Sequence, residues 1–312
     1  MGNGTMISEF ILLGFPNLHG MQMMFFGVIL FMYLSTLVGN SLIITVVWTD
    51  QKLHTPMYFF LCNLSLLEIW STTLVVPKML ANLLSDRTTI CFSCCMAQVF
   101  LHFSLGTTES VILMSMSFDR YLAICRPLHH ATIMTIRVCF RLAFLGWLGG
   151  IVLIFFHSLP VWILPFCRDN RVDHFYCDLG PLLKLACADT SIIEFTGFIT
   201  TVILQGSAFL FTLISYIFII STIIQIPSST DQKKAFSTGA AHLTVVNIFY
   251  GALIFMYMRP STHSSFRINK VVSLLNTVLV PVLDPFIYTI RNTEFKESLS
   301  KMINRKKKSL HI

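Results

Sequence analysis

The stretch Met116-Ser117-Phe118-Asp119-Arg120-Tyr121-Leu122-Ala123-Ile124-Cys125 closes an apolar run that begins near Met96, with His102 and Glu109 set among its hydrophobic residues. An arginine where a helix leaves hydrocarbon is costly unless a partner or a watery cavity takes its charge. Asp119, adjacent in sequence, can do so. Arg120 could also be a plain interfacial anchor, its long stem reaching back to the headgroups. The rest of the chain decides between these readings.

The 312 residues are 54% hydrophobic and 12% charged, more apolar surface than a soluble domain can hide. Seven apolar stretches stand out, at about 25–48, 57–81, 95–119, 138–160, 196–225, 236–258 and 268–290. Each exceeds the roughly 20 residues a transmembrane helix needs. The expected fold is therefore an all-α membrane protein, a single seven-helix bundle over residues 1–312. Lys52, Arg126, Arg137, Arg141, Lys233, Lys234 and the terminal basic cluster fall on one side. Lys78, Arg87, Arg168, Arg171, Lys184, Arg259, Arg267 and Lys270 fall on the other, mixed with acids. By the positive-inside rule residues 1–24 are extracellular and 291–312 cytoplasmic. Asn3-Gly4-Thr5, a glycosylation acceptor, agrees, and no basic n-region of a signal peptide opens the chain. The net charge of +7 could suggest nucleic acid, but the bases crowd Lys301–Lys308, so membrane lipid is the expected partner.

The connections carry further signals. Leu53-His54-Thr55-Pro56-Met57-Tyr58 breaks one helix before the next, and Arg126-Pro127-Leu128-His129-His130 opens the second inner loop. The long outer loop, about 161–195, is expected to be functional or cross-linked. Phe295, Leu299, Met302 and Ile303 recur at helical spacing against lysines, which predicts a short amphipathic helix on the inner leaflet. Of nine cysteines, Cys62, Cys125 and Cys139 lie in spans or inside. Cys91, Cys94, Cys95, Cys167, Cys177 and Cys187 lie outside, where disulfides persist, and six cysteines admit fifteen pairings. His174-Phe175-Tyr176-Cys177-Asp178 has metal-ligand types, but an oxidised Cys177 offers no thiolate.

Taken together these pieces resemble the odorant receptors, a branch of the rhodopsin-like G-protein-coupled receptors, along nearly the whole chain. The resemblance rests on Leu53 to Tyr58, Pro77-Lys78-Met79-Leu80, and Met116 to Cys125 with Arg126-Pro127-Leu128. It continues through Lys234-Ala235-Phe236-Ser237-Thr238 with His242, Phe249-Tyr250-Gly251, and Pro281 to Tyr288 with Arg291-Asn292. The outer loop is similar to that of tetrapod-type members. The resemblance implies disulfides Cys95–Cys177 and Cys167–Cys187, with Cys91 and Cys94 crowding Cys95. The chain departs from the family at Glu68, where Asp is usual, at Asp284, where Asn is usual, and at Gly239 and Ala241.

The helical spacing of His102, Phe103, Gly106, Thr107 and Ser110 puts them on one face of the third span. The resemblance turns that face toward a ligand, opposite Thr200, Thr201 and Leu204, with Leu253, Ile254 and Tyr257 from the sixth span and Leu274 and Thr277 from the seventh. Tyr250 would relay contact downward, and Asp119, Arg120, Tyr121, Tyr216 and Tyr288 would form the coupling switch. Ordinary helix packing is the competing account of each such residue. Buried carboxylates become neutral or share a cation, so Glu68, Glu109 and Asp284 are expected to hold sodium or to form a neutral network. No other cofactor or metal is expected. Gly146 and Gly150 are expected to mark close helix packing.

The implied function is binding of a small, largely hydrophobic odorant, followed by activation of the stimulatory olfactory-type heterotrimeric G protein and a rise in cyclic AMP. The expected place is the plasma membrane of olfactory cilia. An intramembrane enzyme would need a nucleophile–base pair or metal ligands around one cavity, and neither His-Glu-x-x-His nor Gly-x-Ser-x-Gly is present. A transporter or channel using the buried acids is the other alternative. The lack of a visible internal repeat speaks against it.

Overall fold

A computed structural model describes residues 7–15, 20–167, 169–226, 228–257, 263–290 and 293–310. The side chains described exclude those of 229–231, 233–238, 240, 241, 257, 263–267, 288–290, 293 and 305–310. The apolar runs become helices because in lipid a backbone must satisfy its own hydrogen bonds. They are α1 (Gln22–Thr49), α2 (Pro56–Leu83), α3 (Phe92–Cys125), α5 (Ile136–Ile163), α7 (Ser191–Ile224) and α8 (Ser229–Tyr257). The seventh run is α9 (His263–Leu274), a π turn over Leu275–Leu279, and α10 (Val280–Ile290). Among the described residues six helical stretches are long and apolar enough to cross a membrane, and α8 adds the shorter His242–Met256. The result is a seven-helix bundle.

Local chemistry sets the ends and irregularities. Prolines open α2 and the short inner helix α4 (Pro127–Ile133) at positions where a missing N–H costs nothing. The π turn lies just before Pro281, which cannot donate to the carbonyl of Thr277. Helix α3 runs past the apolar stretch to Cys125, so Asp119 and Arg120 stay on a regular helix. The terminal helix α11 (Thr293–Leu310) buries Phe295 and Ser298 and exposes Lys296, Glu297 and Lys301. The Ser298 hydroxyl donates to Asp50, and Thr49 Oγ1 lies 3.9 Å from Met302 Sδ, which fixes the helix beneath α1.

The outer end carries structure that the hydropathy pattern does not signal. β1 (Glu9–Leu12) runs between β2 (Thr89–Cys91), antiparallel to it, and β3 (Arg171–Val172), parallel to it. Phe10 and Leu12 point inward and are buried, with Phe10 edge-on to Phe166 at 5.5 Å. The bridges are Cys95–Cys177, Cys167–Cys187 and Cys91–Cys94, so the two crowding cysteines pair with each other. The short helix α6 (Leu179–Leu183) follows Cys177 in the same outer loop.

The main core joins α1, α2, α3, α5 and α8 through residues such as Val46, Phe60, Leu64, Ile112, Val245 and Phe249. Phe140, Phe144, Leu145, Phe156, Ile203 and Ile214 are exposed around the circumference, as expected of side chains that meet lipid. Gly146 and Gly150 lie where α3 and α5 cross. A Cβ at 150 would stand 2.5 Å from Thr108 Oγ1 and 2.7 Å from the Ser104 carbonyl.

Candidate functional site: a ligand cavity and an inner switch

The helical face of α3 bearing His102, Phe103, Gly106 and Thr107 opens on a cavity of about 90 Å³. Thr200, Thr201 and Leu204 of α7, Leu253 of α8 and Thr277 of the π turn complete these walls. Tyr176 of the outer loop closes the top: its hydroxyl lies 2.9 Å from Ser273 Oγ and 3.4 Å from His102 Nε2. One loop tyrosine thus ties α3 to α9 across the cavity. The disulfide to Cys95 and the bond from Cys177 N–H to Gln98 Oε1, 2.9 Å, hold the loop in place. Gln98 Nε2 in turn donates to the carbonyl of Leu74 on α2.

Several expected lining residues sit elsewhere. Ser110 and Tyr250 do not line it: the tyrosine hydroxyl donates to the Ser110 carbonyl at 3.3 Å, and the Ser110 hydroxyl donates to Oε1 of Gln205, which does. Ile254 is 40% exposed, because one helical step past Leu253 turns it toward lipid. Leu274 packs instead in the cluster of Val75, Val76, Met79 and Phe175, since the start of the π turn directs it toward α2. The side chains of Tyr257 and Tyr288, and Asn3 altogether, lie outside the described residues. Sequence reasoning missed Tyr176, Gln205, Ser273 and Asn276 as lining groups. Polar residues inside apolar helical runs were the available signal for the last three. Nothing local marks Tyr176.

Glu68 and Glu109 also face the cavity, with Asp284 opposite Glu68. Both Glu68 and Asp284 are 2% exposed and lie within side-chain hydrogen-bond reach of one another, but as two ionised carboxylates neither offers the other a donor. Asn40 Oδ1 beside them is likewise unpartnered, its amide nitrogen donating to the carbonyls of Thr36 and Pro281. Among the described residues no group of three or more Asp, Glu, His or Cys could hold a metal ion. Glu68 and Asp284 face one another, and Glu109, on the cavity wall, lies within electrostatic reach of both.

At the inner end Asp119 is fully buried and accepts from both sides. Arg120 Nη2 and Nε donate to its Oδ2 at 2.7 and 3.2 Å, and His130 Nε2 donates to its Oδ1 at 2.8 Å. His130 rides on α4, so the carboxylate ties the second inner loop to α3. Tyr216 meets His242 of α8, hydroxyl to Nδ1, at 2.6 Å. Tyr121 packs beside Tyr216 and stands 6.0 Å from the Phe218 ring. Arg120 is thus held by Asp119, as their adjacency in sequence suggested. His130 and the pairing of His242 with Tyr216 are additions that sequence spacing did not show.

A membrane-spanning bundle with a roofed cavity near one end and a clamped arginine near the other defines a multi-pass receptor. The family model for olfactory receptors matches residues 29–306. Olfactory receptor 6X1 of Homo sapiens is 57% identical over 301 residues, 96% of each chain. Olfactory receptor 6E1 of Mus musculus is 46% identical over 306 residues, 98% of each chain. Olfactory receptor 6S1 of Homo sapiens is 46% identical over 299 residues, 96% of this chain and 90% of its own. The chain belongs to the olfactory receptor family: it is a G-protein-coupled receptor and not an enzyme.

Proposed function

We propose that this receptor takes a small, largely hydrophobic volatile ligand in the α3–α7–α8 cavity and activates the stimulatory olfactory-type G protein, raising cyclic AMP. The observation that carries this reading is the cavity's make-up: apolar walls with a few hydroxyls, the His102 imidazole, the Gln205 and Asn276 amides and the Glu68 and Glu109 carboxyls at its edge, roofed by Tyr176. A ligand shifts the resting equilibrium only by binding the active arrangement more tightly. Release of Arg120 from Asp119 as α8 moves outward would open an inner groove for a G-protein helix. Placement in the plasma membrane of olfactory cilia, N-terminus outside, goes with this reading. The position of all three disulfides at the end that holds β1 supports the orientation.

The facing carboxyls of Glu68 and Asp284, with Glu109 nearby, suit a sodium ion as counter-charge, the alternative being a neutral network in which a shared proton pairs them. Thermal melting in sodium chloride against choline chloride tests this. A sodium-dependent rise lost in Glu68→Gln is expected, and identical curves in both salts would refute it. The functional reading is tested by cyclic AMP in cells that carry the olfactory G protein, across a panel of volatile compounds. A response abolished in Arg120→Ala at equal surface level is expected. Silence of a well-expressed receptor across the panel would count against it.

A further inference from the structure

Above and beside the inner cavity lies a second chamber of about 260 Å³, sharing Phe103, Ile154, Thr200, Thr201, Met256 and Ser273 with the first as a common wall. The inner chamber is small. On a measure where one water needs roughly 10–15 Å³, its about 90 Å³ admits on the order of six to nine water-sized groups. A ligand of more atoms than that must extend past the shared wall.

The outer chamber is furnished differently from the inner one. Residues of three separate elements line it, and each carries a buried polar atom without a hydrogen-bond partner: Asp178 of the outer loop (Oδ1), Asn269 of α9 (Oδ1) and His157 of α5 (Nε2). Two of them can only accept while the carboxylate is ionised, and the histidine nitrogen accepts in its Nδ1–H tautomer. A buried acceptor left unpaired is destabilising. The arrangement is built to receive rather than filled by its own side chains. Gly197 of α7 contributes, since a Cβ there would stand 3.2 Å from Nε2 and Cε1 of the His157 ring. Lys184, Glu194 and His174 also border the chamber. Burial pushes the Asp178 carboxyl up to about 6, which leaves it mainly ionised at neutral pH.

We infer that the outer chamber is a second ligand subsite that takes the hydrogen-bond-donating end, hydroxyl or ammonium, of an amphiphilic ligand whose apolar body lies in the inner chamber. This rests on the reading of the chain as a small-molecule receptor and adds the ligand's chemical class and direction. The carboxylate favours ammonium over hydroxyl, whereas Asn269 serves both.

Four probes of eleven heavy atoms separate the possibilities: 1-decanol, 1-decylamine, methyl nonyl ether and undecane. Each is measured by its effect on the melting temperature of purified full-length receptor, without any G protein. The alcohol and amine are expected to raise it more than twice as far as the ether and the alkane. Asp178→Asn should cancel the amine's advantage over the alcohol while sparing the alcohol's effect, which a merely structural role would not do. Asn269→Leu, on a different element, should reduce both. Equal shifts for all four probes, no shift for either donor, or a donor advantage that survives both substitutions would overturn the inference. Binding with this pattern but no cyclic AMP response would sink the signalling proposal and leave the subsite intact.

Discussion

Asp119 shows how much one residue can hold. Its two oxygens are divided between Arg120 on its own helix and His130 on α4. A hydrogen bond to a charged group contributes about 1.5–3 kcal/mol, and 1.4 kcal/mol is tenfold in an equilibrium. If both bonds favour the resting state, His130→Phe should raise ligand-independent cyclic AMP several-fold at equal surface expression. Unchanged basal signalling would show that the loop contact is neutral between states. A second residue-scale prediction concerns His174 in the outer loop, stacked on Phe175 at 4.6 Å and accepting from the Tyr176 N–H. Burial, aided by the positive charge of Lys270, pushes its pKa down to about 3. Its contribution to stability is full above its unfolded value of about 6.5 and is lost as pH falls toward 3, about 2 kcal/mol by pH 5. Asp178, pushed up to about 6 by burial, works in the opposite sense: its stabilisation is present below about 3.9 and fades as pH rises through 6. The clean readout is therefore the difference from His174→Gln. Between pH 6.5 and 5 the wild type should lose melting temperature relative to that variant. Parallel curves would contradict the argument.

At the scale of elements, α3 and α5 approach through glycines. Gly150→Ala forces a methyl against Thr108 Oγ1 and, worse, the backbone carbonyl of Ser104. Overpacking of this kind typically costs about 1–3 kcal/mol. A melting temperature lower by several degrees is expected for Gly150→Ala and little change for Gly149→Ala, which has open space around its Cβ. The sequence carried this packing, as it carried all seven spans, since apolar runs long enough to cross lipid have few other fates. The face of α3 was legible too, because His102, Phe103, Gly106 and Thr107 follow from one helical period. Legibility fades where a single step matters. Leu253 lines the cavity while Ile254, about 100° round, meets lipid. It fails for β1, whose four residues have no period to announce them and whose partners lie some 80 and 160 positions downstream. The descent of Tyr176 between α3 and α9 depends on the disulfide and on Gln98, so no local pattern could have shown it.

For the whole molecule, the outer sheet and loop act as one roof, and Lys270 bolts that roof to the seventh span. Its Nζ donates to Asp173 Oδ1 at 2.6 Å and to the Gly14 carbonyl at 2.7 Å, lying 5.8 Å from the centre of the Phe15 ring. Lys270→Met keeps the stem but removes these bonds. Ligand dissociation several-fold faster, with a smaller change in association, is the expected result from binding kinetics on the purified receptor. An unaltered off-rate would show that the disulfides alone keep the roof shut. The place of β1 at the centre of that sheet also sets a timetable for biogenesis. The strand emerges from the ribosome first, yet its β2 and β3 neighbours at 89–91 and 171–172 follow only after two and then four spans have been made. Until then its Phe10 and Leu12, buried in the finished fold, lack the neighbours that cover them. A half-synthesised receptor therefore carries an unpaired strand with two bare apolar side chains, and a finished one does not.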